Sequence, residues 1–173
     1  MEFIVKQVDT PEQKQRICDM ILRALPNWFG VEASIVDYVK ETRSMPFWAA
    51  FDGEKPVGFV ALKTRNPYTS EVYVMGVLKE YHRLGIGREL IQRCENDCAA
   101  NQIEYLTVKT LDESRESRSY AKTRQFYFSM GFRPLEVFPL YWDKDNPCLF
   151  MAKFIQNNEQ RQPGNHHTGN NRE

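Results

Sequence analysis

The sequence predicts a single-domain α/β (α+β) protein, whose mixed, mostly antiparallel central sheet of about seven strands is flanked by about four helices. The length of 173 residues suits one domain, because a chain of this size buries enough surface to fold alone. Strand and helix periodicities alternate along the chain, and the hairpin signal Asp52-Gly53 comes before the clearest helix. Hairpins followed by a helical crossover predict a mixed sheet.

The first half of the chain begins with a strand and two helices, and three strands follow. Thr10 suits the N-cap of the first helix, Pro11 suits its first position, and Pro26 ends it. Ile35 and Val39 mark the apolar face of the second helix. The predicted bounds are a strand at 2–8, helices at 11–25 and 32–43, and strands at 47–51, 56–63 and 71–78.

The second half consists of a helix, a strand, a helix and two strands. The first of these helices is the clearest, because apolar residues recur every four positions from Ile86 to Cys98. Gly131 suits the end of the second helix. The predicted bounds are a helix from Ile86 that ends at Asn101, a strand at 103–109, a helix at 119–130, and strands at about 132–141 and 148–155, with a turn at 143–147 between them.

The chain is predicted to divide into a folded domain, residues 1–155, and a disordered polar C-terminal tail, residues 156–173. The tail repeats Gly and Asn and has almost nothing apolar to bury. His166-His167 and the four cysteines do not form a metal-binding pattern, so no metal site is predicted. The cysteines are expected to be reduced and packed in the core.

The charges indicate which partners to expect. Twenty-three basic and 23 acidic residues cancel, so no overall field favours nucleic acid or an anionic membrane. The first nine residues are too polar for a signal peptide, and no apolar run reaches the length of a membrane span. The sequence therefore predicts a cytoplasmic protein that binds neither nucleic acid nor membrane, and it leaves a homodimer open.

A glycine-bearing segment, residues 82–87, joins a predicted strand to the clearest helix. Its glycines let backbone N–H groups approach an anion at the helix N-terminus, and phosphate is the natural ligand. An ordinary strand-to-helix turn is the alternative on these residues alone. A nucleotide-binding regulator is disfavoured, because Leu90 replaces the third glycine of G-x-G-x-x-G and no Walker lysine follows.

Three motifs in register resemble the GNAT acetyltransferase superfamily. Residues 82–87 are similar to its R/Q-x-x-G-x-G/A signature, residues 74–77 to the strand before that turn, and residues 126–132 to its late F-Y-x-x-x-G-F element. Two positions depart from the pattern: His82 stands at the usual Arg/Gln position, and Tyr120 stands where asparagine is often found. The resemblance implies a GNAT-like fold and an N-acetyltransferase that uses acetyl-CoA as its co-substrate.

The resemblance also implies where coenzyme A binds. The glycine turn would hold the pyrophosphate, the preceding strand would present N–H groups to the thioester carbonyl, and one face of the late helix would supply hydroxyls and a cation. The residues expected to bind the cofactor are Met75, Gly76, Val77, His82, Arg83, Leu84, Gly85, Ile86, Gly87, Arg88, Tyr120, Thr123 and Arg124.

Two residues are the candidates for catalysis. Strict alternation of the strand would place Glu71 on one face with Tyr73, Met75 and Val77. The spacing of Glu71 from the glycine turn is similar to that of the general base in histone-type members, and a solvated rim residue is the alternative. Tyr127, in the late motif, is the candidate general acid for the leaving thiolate, and a packed ring is its alternative.

The acceptor site is expected to lie among aromatic and acidic residues outside the cofactor motifs. Aromatic rings with carboxylates could hold a cationic amine, although core packing and a turn explain the same residues equally well. The candidates are Trp28, Phe29, Tyr73, Tyr141, Trp142 and Asp143.

The predicted reaction transfers the acetyl group to a primary amine of a small molecule or peptide, by direct attack in a ternary complex. Aminoglycosides, polyamines, amino acids and peptides all remain open as acceptors, and either Glu71 or ordered water could take the proton. A non-catalytic acyl-CoA-binding sensor with the same fold is the alternative function.

Overall fold

The computed structural model describes residues 2–156, which form one seven-stranded sheet and four α-helices. The sheet order is β1-β2-β3-β4-β5-β7-β6. The elements are β1 Ile4–Gln7, α1 Pro11–Arg23, α2 Glu32–Thr42, β2 Phe47–Asp52, β3 Lys55–Asn66, β4 Thr69–Val77, a 3-10 turn at Lys79–Tyr81, α3 Ile86–Ala100, β5 Tyr105–Leu111, α4 Arg118–Ser129, β6 Arg133–Asp143 and β7 Asn146–Phe154. Apart from Gln156, the predicted tail lies outside the described residues, and so does His166-His167.

Neighbouring strands run antiparallel except for β4 and β5. Helix α3 connects these two strands, and a parallel pair requires such a crossover. The predicted fold class, with its mostly antiparallel sheet, seven strands and four helices, is therefore confirmed.

Several strand bounds differ from the prediction, and at two of these strand ends side chains close the turns tightly. β4 begins at Thr69 rather than at residue 71, since the Tyr68 N–H donates to Asn66 Oδ1 at 2.9 Å. β6 continues to Asp143, whose carboxylate accepts hydrogen bonds from the Asp145 N–H and the Asn146 side chain. These local bonds replace longer predicted loops.

The helices cover both faces of the sheet. A Cβ placed on Gly58 would contact Ile86 of α3, whereas the ring of its neighbour Phe59 lies near Gly76, which packs against α1. Because neighbouring residues of a strand point to opposite faces, α1 and α3 lie on opposite sides. Helix α4 lies on the α3 side, where Phe126 approaches Gly87. None of the helices in residues 2–156 is long and apolar enough to cross a membrane.

The four cysteines lie in the core, as predicted. Each is free and buried, and burial raises the pKa of the Cys98 thiol to about 12. A thiol kept protonated in this way is a poor nucleophile and a poor metal ligand. The cysteines therefore contribute packing rather than chemistry.

Candidate active site

A cavity of about 830 Å³ opens where β4 and β5 separate. The two strands pair only from Thr69 with Tyr105 to Val72 with Val108, and beyond this point each has a free edge. The lining residues come from both faces of the sheet: Tyr38 belongs to α2, and Tyr127 belongs to α4. This cavity, called the cleft below, therefore passes through the sheet.

Strand β4 carries a bulge at the start of the cleft. Val74 pairs with Ala61 and Val72 with Leu62, so Tyr73 is an extra residue between them. The Tyr73 ring packs against Tyr38 of α2 at 5.4 Å, whereas the Met75 side chain reaches Gly87 of α3 on the opposite face. The predicted common face for Glu71, Tyr73, Met75 and Val77 is therefore wrong, because the bulge interrupts the alternation.

The free edge of β4 presents backbone N–H groups to the cleft. The Leu78 N–H donates to Val57 O at 2.9 Å, so it points toward β3. Alternate residues of a strand share a hydrogen-bonding direction, so the N–H groups of Met75 and Val77 point away from β3. Gly76 lies between them, and its lack of a side chain is explained by packing, because a Cβ there would lie 3.0 Å from Ile21 of α1.

The glycine turn places the N-terminus of α3 at the cleft. Gly85 is the N-cap and has φ 89°, a conformation that glycine adopts without strain, and Arg83 before it has φ 64°. The Glu89 N–H is the first to bond back, to Gly85 O at 3.1 Å. The N–H groups of Ile86, Gly87 and Arg88 are therefore free to bind an anion.

Gly87 also allows α4 to approach α3. A Cβ at this position would lie 3.1 Å from the Phe126 ring and 3.4 Å from Met75 Cε. The Cα of Gly87 is therefore packed against Phe126 and Met75, whereas its N–H lies at the N-terminal end of α3, which faces the cleft.

His82 and Tyr120, the two predicted cofactor residues that depart from the family pattern, form hydrogen bonds to other parts of the chain. His82 Nε2 donates to Val77 O at 2.7 Å, and its ring packs on Trp28 at 5.7 Å. The Tyr120 hydroxyl donates to Trp28 O at 2.7 Å, and burial raises its pKa to about 12. Both side chains line the cleft and fix the loop that follows α1.

The remaining predicted residues of α4 are divided. Thr123 lines the cleft and accepts a hydrogen bond from Trp28 Nε1 at 3.0 Å. Arg124 does not line it, and its guanidinium donates to Leu111 O at 2.8 Å, on the free edge of β5. Leu84 and Ile86 of the glycine turn also lie outside the lining.

Tyr127 lies in the wall of the cleft. It is buried, its ring packs on Phe132 at 5.5 Å, and its hydroxyl makes no hydrogen bond to any described residue. Burial raises its pKa, so the hydroxyl stays protonated at neutral pH. The structure thus places a free proton donor beside the cleft.

Glu71 is buried beside the cleft and is not among the residues that line it. Its Oε2 accepts hydrogen bonds from the Arg65 guanidinium at 2.5 Å and from Lys109 Nζ at 2.9 Å. A substrate or water can therefore approach this carboxylate only at Oε1 or through its two cationic partners.

The predicted acceptor residues are only partly brought together. Trp28, Phe29, Tyr73 and Trp142 line the cleft, whereas Tyr141 and Asp143 do not. The Asp143 carboxylate belongs to the β6–β7 turn, where hydrogen bonds from the Asn146 side chain lower its pKa. The alternative interpretation of Asp143 as a turn residue accounts for its position.

Several lining residues were not among the predicted site residues. Tyr38 was missed because it fits the apolar pattern of its helix. Lys109 could have been identified, because a charged residue interrupts the otherwise apolar strand β5. No acidic residue is among the described residues that line the cleft. Its charged lining residues are all basic: Lys79, Arg83, Arg88, Lys109 and Lys122.

Comparisons with known proteins agree with this geometry. The family model of the acetyltransferase (GNAT) domain matches residues 43–134, which are more than half of the chain. The uncharacterized N-acetyltransferase YsnE of Bacillus subtilis (strain 168) is 27% identical over 107 residues, which are 62% of this chain and 68% of that protein.

Solved structures show the same fold. A GNAT-family acetyltransferase from Desulfovibrio desulfuricans has a TM-score of 0.73 at 16% identity, over 90% of this chain and all of that one. An aminoglycoside 6'-N-acetyltransferase complexed with coenzyme A has a TM-score of 0.71 at 20% identity, over 93% of this chain and 99% of that one. The predicted superfamily, enzyme class and acetyl-CoA co-substrate are confirmed by the family match. The chain belongs to the GNAT family of acetyltransferases, which transfer an acetyl group from acetyl-CoA to an acceptor substrate.

Proposed function

We propose that the protein is an N-acetyltransferase that moves the acetyl group of acetyl-CoA to a primary amine of a small molecule or peptide, by direct attack in a ternary complex. The observation that carries this proposal is the cleft itself. It passes through the sheet, so donor and acceptor can enter from opposite faces and meet between β4 and β5. Holding both substrates in one cavity removes the need for an acetylated enzyme intermediate.

The donor is proposed to enter on the α3 side. The free N–H groups of Gly87 and Arg88, which line the cleft, suit the pyrophosphate, because the N-terminus of a helix attracts anions. Arg83 of the glycine turn and Lys122 of α4 also line the cleft and add positive charge for the phosphates. This side of the cleft matches a ligand that carries several negative charges.

The thioester is proposed to lie against the free edge of β4. The N–H groups of Met75 and Val77 point into the gap and can donate to the carbonyl oxygen as it gains negative charge during attack. Tyr127 is proposed to protonate the departing thiolate, because its hydroxyl lies in the wall of the cleft and has no partner among the described residues. Glu71 is proposed to take the amine proton through a water at Oε1, since Oε2 already has two donors.

A thiol-release assay with acetyl-CoA and a panel of primary amines tests the proposed function. We expect release of coenzyme A that depends on the amine, and N-acetylated product by mass spectrometry. Binding of acetyl-CoA without thiol release for every aminoglycoside, polyamine, amino acid and peptide tested would favour the acyl-CoA-binding sensor instead.

Tyr127→Phe is expected to lower kcat about 10- to 100-fold, at or below the usual range for a general acid, because a thiolate leaves readily. Only the hydroxyl is removed, so the affinity for acetyl-CoA and the melting temperature should stay close to those of the wild type. Steady-state kinetics from pH 6 to 9 with calorimetry measures both.

Phe128→Leu serves as the control for Tyr127→Phe, because Phe128 lies on the same helix, is 43% exposed and does not line the cleft. Wild-type kcat in Tyr127→Phe at every pH would show that Tyr127 only packs against Phe132.

A further inference from the structure

We propose that the acceptor carries a carboxylate beside its amine, and that Lys109 binds this carboxylate. The inference rests on the proposed function and narrows its acceptor to amino-acid-type molecules. Lys109 Nζ would donate a hydrogen bond to this carboxylate. The aromatic residues on the same face of the sheet would contact an apolar or aromatic side chain of the acceptor.

Lys109 lies in the right place to contact an acceptor. Val72 and Val108 form the last parallel pair between β4 and β5, so Tyr73 and Lys109 are the first residues on either side of the gap. Both line the cleft. Lys109 lies on the α2 face, because it contacts Glu71, which pairs across the strands with Lys63, and Lys63 binds Glu41 of α2. This face is opposite the α3 N-terminus proposed for the coenzyme phosphates.

The Lys109 ammonium keeps donors free for a ligand. Its side chain is 17% exposed, and its Nζ lies 5.3 Å from the centre of the Tyr141 ring and 5.7 Å from that of Phe150. An ammonium has three N–H donors, and one donates to Glu71. The other two have no hydrogen-bond acceptor among the described residues, although aromatic rings and packing hold the stem in place.

The charges around Lys109 leave an excess of positive charge. Lys109 and Arg65 share the carboxylate of Glu71, and the neighbouring Lys63 pairs with Glu41, so three cations face two carboxylates. The described residues that line the cleft include no Asp or Glu to pair with a second ammonium. A polyamine or an aminoglycoside would therefore bring several positive charges to a basic cavity, whereas a carboxylate beside the amine compensates the excess charge.

The spacing along β4 and β5 suits a carboxylate close to the amine. Met75, whose N–H is proposed to hold the thioester, lies two residues beyond Tyr73, which is roughly 7 Å along a strand. A carboxylate hydrogen-bonded to Lys109 and an amine on the neighbouring carbon are compatible with a backbone spacing of this order. Tyr38, Tyr73 and Trp142 then form apolar walls for the rest of the acceptor.

A matched set of acceptors tests this inference: L-phenylalanine, L-phenylalaninamide and phenethylamine, which share a ring and differ at the carboxylate. We expect kcat/KM in the thiol-release assay to be at least about 10-fold higher for phenylalanine than for the other two, the usual effect of a hydrogen bond to a charged group. This is a stringent comparison, because the α-amine of phenylalaninamide has a lower pKa than that of phenylalanine. At pH 7 the amide therefore supplies more free amine and would react faster if the carboxylate played no part.

Lys109→Met should reduce this preference to within about 3-fold, because methionine keeps the length of the stem and removes the charge. Lys109→Arg should retain most of the preference. Lys40→Met, the same change at an exposed position of α2, should keep the wild-type preference.

Equal or faster turnover of phenethylamine by the wild-type protein would overturn the inference without any variant, and would leave the proposed N-acetyltransferase intact. A preference for phenylalanine that persists in folded Lys109→Met would also overturn it. Absence of thiol release with every amine tested would overturn the proposed function and this inference together.

Discussion

Gly87→Glu is expected to weaken acetyl-CoA binding at least about 100-fold. The substitution places a carboxylate at the α3 N-terminus, where the N–H groups of Gly87 and Arg88 are proposed to hold the pyrophosphate. Like charges at this position repel, and the new carboxylate can itself occupy the free donors. Loss of two charge-assisted hydrogen bonds of about 1.5–3 kcal/mol each accounts for an effect of this size. Calorimetric titration with acetyl-CoA measures it.

Gly87→Ala is the control that distinguishes the effect of the added charge in Gly87→Glu from the effect of its added size. A methyl group at residue 87 would lie 3.1 Å from the Phe126 ring, so Ala and Glu should both displace Phe126 and lower the melting temperature to a similar degree. We expect Gly87→Ala to lose no more than about 10-fold in affinity, because the free N–H donors remain. A folded Gly87→Glu protein with wild-type affinity for acetyl-CoA would show that the coenzyme phosphates bind elsewhere.

The fold could be predicted from local sequence signals because its elements are bounded by residues with strong backbone preferences. Pro11 begins α1, Gly53 has φ 59° in the β2–β3 turn, and Gly131 has φ 92° after α4. These preferences depend on neighbours in the sequence alone. The order of the elements and the family motif between β4 and α3 then predicted the mixed sheet.

The site could be predicted only where it depends on the backbone of one segment. The glycine turn is such a segment, whereas the bulge at Tyr73 arises from the pairing of β4 with β3 and has no local signal. One partner of Glu71 is also distant along the chain, since Lys109 comes from β5, 38 residues later. Periodicity assigns a strand residue to a face, but it does not identify the charges that surround it.

Glu71→Gln is expected to lower kcat/KM about 100-fold near pH 7, if Glu71 takes the amine proton through water. An amine of pKa near 10.4 is almost fully protonated at pH 7, which costs roughly 4 to 5 kcal/mol when no base assists. The loss should shrink as the pH rises, because free amine then becomes abundant. The affinity for acetyl-CoA should barely change, since Glu71 lies outside the lining of the cleft.

Glu32→Gln is the matched control for Glu71→Gln. Glu32 is also an ion-paired carboxylate, held by Arg23 at 2.7 Å away from the cleft, and we expect its substitution to change kcat/KM by less than about 3-fold. The pH profile of Glu71→Gln distinguishes two roles. A loss that diminishes toward high pH supports proton removal, whereas a uniform loss at every pH would instead assign Glu71 to positioning Lys109, because the pair between them is broken whatever the charge of the amine. Wild-type rates at pH 7 would remove Glu71 from both roles, and the proton would then leave through ordered water alone.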